Sequence, residues 1–290
     1  MKIGVGIASK GRPDELADIV AALLRQTTPP DLIVVSATGP SDVGRLVSSA
    51  TLKIVFGAAG LCHQRNRCLD LLLPDSDIVA FFDDDYLPSR FALERLAAVF
   101  RDRPDIVGLT GALLADGINS PGLSRADTEA AIARHDREPP GPVTEAGPLV
   151  GLYGCNMVFR AAAIAGERFD ENLPAYAWQE DIDFAARIGR KGILCKTSAF
   201  AGIHRGVKGA RQSGVRFGYS QIANPVYLMR KGTMPFAFGV RLMLKNLLAN
   251  HGKLLRPEPW VDRRGRARGN WLALRDFVFG ALSPGRIAML

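Results

Sequence analysis

Several features are scarce or missing, and each absence excludes a class of protein. Only four cysteines occur, Cys62, Cys68, Cys155 and Cys195, without a CxxC pair or histidines at metal-ligand spacing. That excludes a zinc framework and a disulfide scaffold, and predicts reduced thiols. No apolar run approaches the ~18–20 residues that span a bilayer. The opening Met1-Lys2-Ile3-Gly4-Val5 lacks the apolar core and cleavage site of a signal peptide, so the expected location is cytoplasmic. Internal repeats and low-complexity tracts are missing too. Acids are nearly absent from one end: residues 206–290 hold fifteen Lys/Arg against Glu258, Asp262 and Asp276. The first 205 residues hold 22 Lys/Arg against 26 acids, so the net charge of +8 arises entirely in the last third.

What is present is apolar residues, 47% of the 290, enough to bury the core of one large domain or two small ones. Short apolar runs alternate with helical patterns. Ile3–Ala8, Leu32–Val35, Leu52–Phe56 and Ile78–Phe82 read as strands. Residues 13–26, 62–73 and 89–100 read as amphipathic helices, the first through Leu16, Ile19, Val20, Leu23 and Leu24. Strands separated by such helices predict βαβ units and a largely parallel sheet, an α/β fold. Residues 115–148, rich in Gly, Pro, Ser, Asp and Glu, read as a long loop, functional or disordered. A strand-like segment, 149–159, follows, and a helix opens near Trp178 and ends at Gly189 or Gly192.

Two acidic clusters carry chemistry. The strand ending at Phe82 runs straight into Asp83, Asp84 and Asp85. Adjacent carboxylates repel, so either a hard divalent cation compensates them at the sheet's carboxyl edge or they form a solvated acidic turn before the next helix. About a hundred residues on, Glu180, Asp181 and Asp183 crowd a helix start. The positive end of the helix dipole suits acids there, yet three exceed what a cap requires. One metal-holding cluster and one general base together suit group transfer from a nucleoside diphosphate.

These residues resemble the family 2 glycosyltransferases, which have the GT-A fold, a Rossmann-like sheet flanked by helices, and invert the sugar they transfer from a nucleotide sugar. The resemblance covers about residues 1–230. It rests on Ile7-Ala8-Ser9-Lys10-Gly11-Arg12-Pro13, Leu23-Leu24-Arg25-Gln26-Thr27 and Leu32-Ile33-Val34-Val35, then on Gly60 with Arg65-Asn66 and on Asp83-Asp84-Asp85 as a DxD motif. Gly154-Cys155-Asn156, Phe169-Asp170-Glu171 and Glu180-Asp181-Ile182-Asp183 complete the ordered series. It implies Asp181 as base and Glu180 as the residue that positions the acceptor. Ser9, Arg12, Arg65, Asp83 and Asp84 then belong to the donor side, Asp83 toward the ribose and Asp84 mainly structural. Asp85 and His204 would hold Mg²⁺ or Mn²⁺, and Asn156, Trp178 and Asp183 would meet the acceptor.

Bland alternatives stand beside these roles. His204 also reads as a hydrogen-bonded structural histidine, Arg65 and Asn66 as helix surface, and Trp178 as core. Gly4, Gly6 and Gly11 lack GxGxxG spacing, and Arg12-Pro13 stand where a P-loop has Lys-Ser/Thr. Two departures from the family matter. Its second strand usually ends in an Asp that contacts the nucleobase, whereas this chain has Ser36-Ala37-Thr38, so UDP is only the default donor nucleotide. The QxxRW motif of processive synthases is missing, which predicts one sugar per acceptor, a glycan or a lipid-linked glycan of surface or exopolysaccharide synthesis.

The expected domains are a catalytic unit, 1–205, and a helical basic extension, 206–290. The extension, with Trp271, Phe277 and Phe279 among its cations, either packs on the core or lies on the anionic inner face of the cell membrane. No nucleic-acid-binding signature accompanies the charge, so no nucleic-acid partner is expected. Competing readings are a sugar nucleotidyltransferase, which needs a Gly-rich phosphate loop ending in Lys, and a non-catalytic polybasic adaptor.

Overall fold

The computed structural model describes residues 1–139, 141–208 and 213–290. Pro140 in the expected loop and residues 209–212 at the head of the expected extension, including Arg211, lie outside them.

The N-terminal half follows from its apolar runs. β1 (Ile3–Ala8), β2 (Leu32–Ala37), β3 (Leu52–Phe56) and β4 (Ile78–Asp83) are joined through α1 (Pro13–Leu24) and α2 (Leu61–Leu72). β3, β2, β1 and β4 lie in that order, all parallel. β1, β2 and β4 are covered on both faces, as continuous apolar strands require. α1 starts on Pro13 and buries Leu16, Ile19, Val20 and Leu23. Gly60, at φ 141°, turns the chain into α2 in a conformation that side chains rarely adopt.

The other half is mixed. β5 (Tyr86–Pro88), α3 (Ala92–Asp102), β6 (Ile106–Asp116), α4 (Arg125–His135) and β7 (Glu145–Ala146) lead to β8 (Asn156–Arg160) and the short α5 (Ala161–Ile164). Then come α6 (Glu180–Ile188) and β9 (Ile193–His204). β8 runs antiparallel between β4 and β6, β9 runs parallel to β6, and β5 and β7 pair antiparallel with β9. The sheet is therefore parallel from β3 to β4 and again between β6 and β9, and antiparallel at its other pairings.

Three expectations change. The long loop contains the end of β6, the whole of α4 and β7, and the strand-like segment 149–159 is extended only from Asn156. β6 and β9 carry no expectation from the sequence because glycines interrupt their apolar patterns. Gly111 leaves room for the Phe200 ring and Gly202 for the Tyr86 ring. The helix after Trp178 begins only at Glu180.

The last third is α7 (Gly214–Lys231), α8 (Phe236–Gly252) and α9 (Arg263–Val278). Tyr219, Ile222 and Ala223 of α7 bury against Ala273 of α9 and Ile287, while Leu228 and Met234 belong to the core beneath α2 and α6. Gly218 and Gly269 let the backbones of α7 and α9 meet closely.

Candidate functional site

Strand register assembles the acidic centre. β4 ends on Asp83, and its continuation through Asp84 and Asp85 enters β5. Tyr86 of β5 lies opposite His204, the last residue of β9, and His204 lies opposite Asp116, the last residue of β6. Three strand ends thus converge on one point at the carboxyl edge of the sheet. Ligand atoms of Asp83, Asp85 and His204 all lie within 4.8 Å of one another.

Two carboxylates and an imidazole are a donor set for a divalent cation, and the surroundings fit it. His204 Nδ1 lies 2.9 Å from Asp116 Oδ1, which leaves Nε2 turned toward Asp85. A carboxylate behind an imidazole in this way orients the ring and raises its basicity. Tyr153 donates to the other Asp116 oxygen at 2.9 Å. Burial would lower the His204 pKa, but Asp116 and Asp85 override it and push the pKa up to about 10. Asp85 is held below the usual carboxylate range despite burial, by His204, by Arg12 and by the Val207 N–H at 2.8 Å. Asp116 and Tyr153 carry no expectation from the sequence. A strand ending in an acid is a usable signal, but the glycines of β6 obscured the strand.

Asp84 points the other way. Its carboxylate is 1% exposed, accepts from Ser9 Oγ at 2.8 Å and pairs with Arg12 at 2.6 Å. Burial raises its pKa, with Arg12 opposing. Arg12 also reaches Asp85 at 3.1 Å. Ser9 and Asp84, both expected on the donor side, are therefore spent on each other and on Arg12, beneath the acidic centre rather than open to it.

The second cluster sits at the start of α6, reached through a strained loop. Ala175, Ala177 and Gln179 all have positive φ, at 59°, 49° and 77°. Non-glycine residues in that region each cost on the order of 1 kcal/mol, and such strain collects at functional sites. It delivers Glu180 and Asp181 to the first helical turn. Asp181 is half-buried. One of its oxygens accepts from the Gly154 N–H at 3.0 Å and the other from the Ile182 N–H at 2.8 Å. Burial nonetheless raises its pKa. A carboxylate held by backbone donors, at a helix N-terminus and with heightened proton affinity, has the attributes of a general base.

Arg65 joins the clusters. Its guanidinium is buried, pairs with Glu180, donates to Asp83 Oδ1 at 3.1 Å and to the Gly154 carbonyl at 3.0 Å. Burial would weaken its charge, but Glu180 and Asp83 raise its pKa. It also lies over the Phe81 and Phe169 rings, at 5.9 and 5.5 Å. Helix surface is thus the wrong description of Arg65, and of Asn66, which donates to the Phe169 carbonyl at 3.0 Å and to Glu171 at 2.9 Å.

Two acceptor-side expectations need correction. Asn156 is fully buried, binds Thr110 Oγ1 at 2.5 Å and donates to the Gly111 carbonyl, so it fastens β8 to β6. Asp183 is fully buried as well and accepts from Thr233 Oγ1 at 2.7 Å and Lys231 at 2.9 Å. It sits on the inner side of α6, where it locks the end of α7. Glu180 is held by Arg65, and its other oxygen is buried without a partner among the described residues, so nothing of it faces an acceptor in this arrangement. Trp178 remains half-exposed, its ring edge against Phe217 at 5.9 Å.

No family model matches the sequence, and no curated protein matches it. Solved structures do match in fold. S. aureus TarS 1–349 is 16% identical, with a TM-score of 0.58 over 100% of this chain and 83% of that chain. The same protein in complex with UDP-GlcNAc is 17% identical, with a TM-score of 0.59 over 100% and 84%. The mannosyltransferase PcManGT from Pyrobaculum calidifontis, in complex with GDP-Man and Mn²⁺, is 16% identical, with a TM-score of 0.55 over 99% and 85%. The chain therefore has the GT-A-like α/β fold of these proteins.

Proposed function

We propose that the chain is an inverting, metal-dependent glycosyltransferase that moves one sugar from a nucleoside-diphosphate sugar to a hydroxyl of a glycan or lipid-linked acceptor, in surface or exopolysaccharide synthesis. One observation carries the reading. Asp83, Asp85 and His204 gather at the sheet edge as a candidate cation site, and one buried arginine, Arg65, ties Asp83 to Glu180, the residue before Asp181 at the start of α6. Proteins of the same fold bind UDP-GlcNAc, or GDP-Man with Mn²⁺, which supports both the donor class and the cation.

Asp83, Asp85 and His204 would hold the cation. An imidazole among the ligands favours Mn²⁺ over Mg²⁺, whose preference is for oxygen alone. When bound, such an ion offsets negative charge on a departing diphosphate. Asp181 takes the proton from the acceptor hydroxyl as that oxygen attacks the anomeric carbon from the face opposite the leaving group. The two backbone N–H donors keep the Asp181 carboxylate in place. Arg65, with Glu180 and Asp83, fixes the start of α6 against the tip of β4, which keeps base and cation site in register.

A nucleotidyltransferase gains no support from the glycines of β1. A Cβ on Gly6 would meet Phe81 and Cys68, and one on Gly4 would meet Ser76 and Leu72, so both serve packing. Purified protein should respond to one member of a nucleotide-sugar panel in the presence of Mn²⁺, by thermal shift and by slow donor hydrolysis. A lack of metal-dependent response to every donor overturns the reading.

The same proposal places the enzyme in the cytoplasm, peripheral on an anionic membrane. No helix among the described residues is long and apolar enough to cross a membrane. α8 presents Arg241, Leu244, Lys245 and Leu248 outward, and α9 presents Arg264, Arg268, Trp271, Arg275 and Val278. Trp271 is 64% exposed, and its ring meets His251 of α8 at 5.8 Å. α8 has no acid, and the single acid of α9, Asp276, is buried. Cations and apolar groups on one wet face suit anionic headgroups, at about 1 kcal/mol per cation. The protein should sediment with phosphatidylglycerol-containing vesicles and not with pure phosphatidylcholine. Equal recovery from both removes the membrane from the proposal and leaves the catalytic reading standing.

A further inference from the structure

We infer that Arg67 reads the nucleobase of the donor and selects bases with a carbonyl oxygen at the exocyclic position: uracil, thymine or guanine. The inference rests on the donor reading above and gives it a substrate class.

The cation site at the tip of β4 places the diphosphate. On one side of β4 lies the antiparallel β8, with Gly154 and Asp181 crowding its approach. On the other side the tips of β1, β2 and β3 follow in order, all pointing the same way. Ligands of α/β sheets bind along that edge. With strands spaced ~4.8 Å apart, the tips of β2 and β3 stand on the order of 10–14 Å from the tip of β4. A ribose lies between diphosphate and base, so the base falls over β2 and β3.

Those tips carry little that tells one base from another. β2 ends in Ser36 and Ala37, and β3 is followed by Gly57 and Ala58. The acid that follows β2, Asp42, is consumed by the chain itself. It accepts from Gly11 N at 2.8 Å, Thr38 Oγ1 at 2.5 Å, Thr38 N at 2.9 Å and Gly39 N at 3.2 Å. Those bonds staple the loop after β1 to the loop after β2.

Arg67 enters from α2, one turn beyond Gln64, whose amide ties the Ser9 and Ser36 carbonyls together at 2.9 and 2.8 Å. Its Nε donates to Ser36 Oγ at 3.0 Å and its Nη2 to the Ala58 carbonyl at 3.0 Å. A Cβ on Gly57 would stand 2.8 Å from Nη1, so glycine at that position is what lets the guanidinium lie against the tip of β3. Arg67 is half-buried, and among the described residues no carboxylate pairs with it. Two of its five N–H groups hold it in place, and among the described residues the others have no hydrogen-bond partner.

A guanidinium donates and never accepts. Uracil and thymine O4 and guanine O6 accept, whereas cytosine N4 and adenine N6 donate at the corresponding position. A keto base gains a charge-assisted hydrogen bond there, and an amino base sets donor against donor.

Titrating the full chain with UDP, GDP, CDP and ADP, each with Mn²⁺, tests this. UDP or GDP should bind on the order of tenfold tighter than CDP and ADP. Arg67→Ala should weaken the preferred nucleotide by about that factor and leave CDP and ADP nearly unchanged, so the preference collapses. Arg67→Gln, which retains a donor for Ser36, repeats the measurement should the alanine variant fold poorly. Four equal affinities, or a variant that weakens all four alike as a phosphate contact would, overturns the role of Arg67 and leaves the donor reading intact. Failure of every nucleoside diphosphate to bind overturns both.

Discussion

Arg65 and Glu180 form a buried ion pair across 115 residues of chain. The same guanidinium holds Asp83, so the strand tip of the proposed cation site and the helix start of the proposed base share one cation. Removing one partner of such a pair leaves the other charge stranded, which costs more than the pair contributes.

Arg65→Met should therefore destabilise the protein by about 3 kcal/mol or more, read from urea denaturation. Adding Glu180→Gln should recover part of the loss, because the stranded carboxylate is gone. If the double variant is no more stable than the single one, Arg65 acts through packing on Phe81 and Phe169 and not through Glu180.

Variants of Asp181 and Asp85 separate the proposed base from the proposed cation site. Asp181→Asn should lower transfer by about 10²- to 10⁴-fold while leaving metal-dependent UDP binding nearly intact, since the side-chain carbonyl can still accept a backbone N–H. Asp85→Asn should weaken metal-dependent UDP binding directly. Equal loss of binding in both variants would contradict this division of roles.

Much of this was readable from residues, and the unreadable part has a physical pattern. Parallel strands covered on both faces appear as continuous apolar runs, which is why β1 to β4 and the carboxylates at the end of β4 stand out. β6 and β9 hid behind glycines that exist to accommodate Phe200 and Tyr86. With them went Asp116, the residue that orients His204. Motif position also said nothing about which way a side chain points. Asp83 and Asp85 gather with His204, but Asp84 between them turns to Ser9 and Arg12, and Asp183, two residues from Asp181, turns inward to Thr233. The turn at Asp84 and Asp85 between β4 and β5, and periodicity along α6, decide this. The partners lie 50 or more residues away, beyond any local pattern.

Asp183 is accordingly predicted to matter for stability and not for acceptor affinity. Asp183→Asn removes a carboxylate that accepts from Lys231, Thr233 and Arg187, the last at 3.3 Å. The expected loss is about 2 kcal/mol in urea denaturation, with the acceptor KM of the folded fraction unchanged. A raised KM with unchanged stability would restore Asp183 to the acceptor side.

Asp170 should make part of that same clamp acid-sensitive. Burial alone would raise its pKa, but Lys231 and Tyr227, the latter donating at 2.8 Å, bring it down to about 2 from 3.8. A carboxyl with a depressed folded-state pKa binds protons more readily in the unfolded chain, so its contribution is complete above 3.8 and fades as pH falls through about 2. The depression corresponds to on the order of 2 kcal/mol. Comparing wild type with Asp170→Asn cancels the titration of every other acid. The stability gap should be widest well above 3.8 and close toward about 2. A gap that stays constant across that range would mean that Asp170 holds α7 by hydrogen bonding alone, with no contribution from its charge.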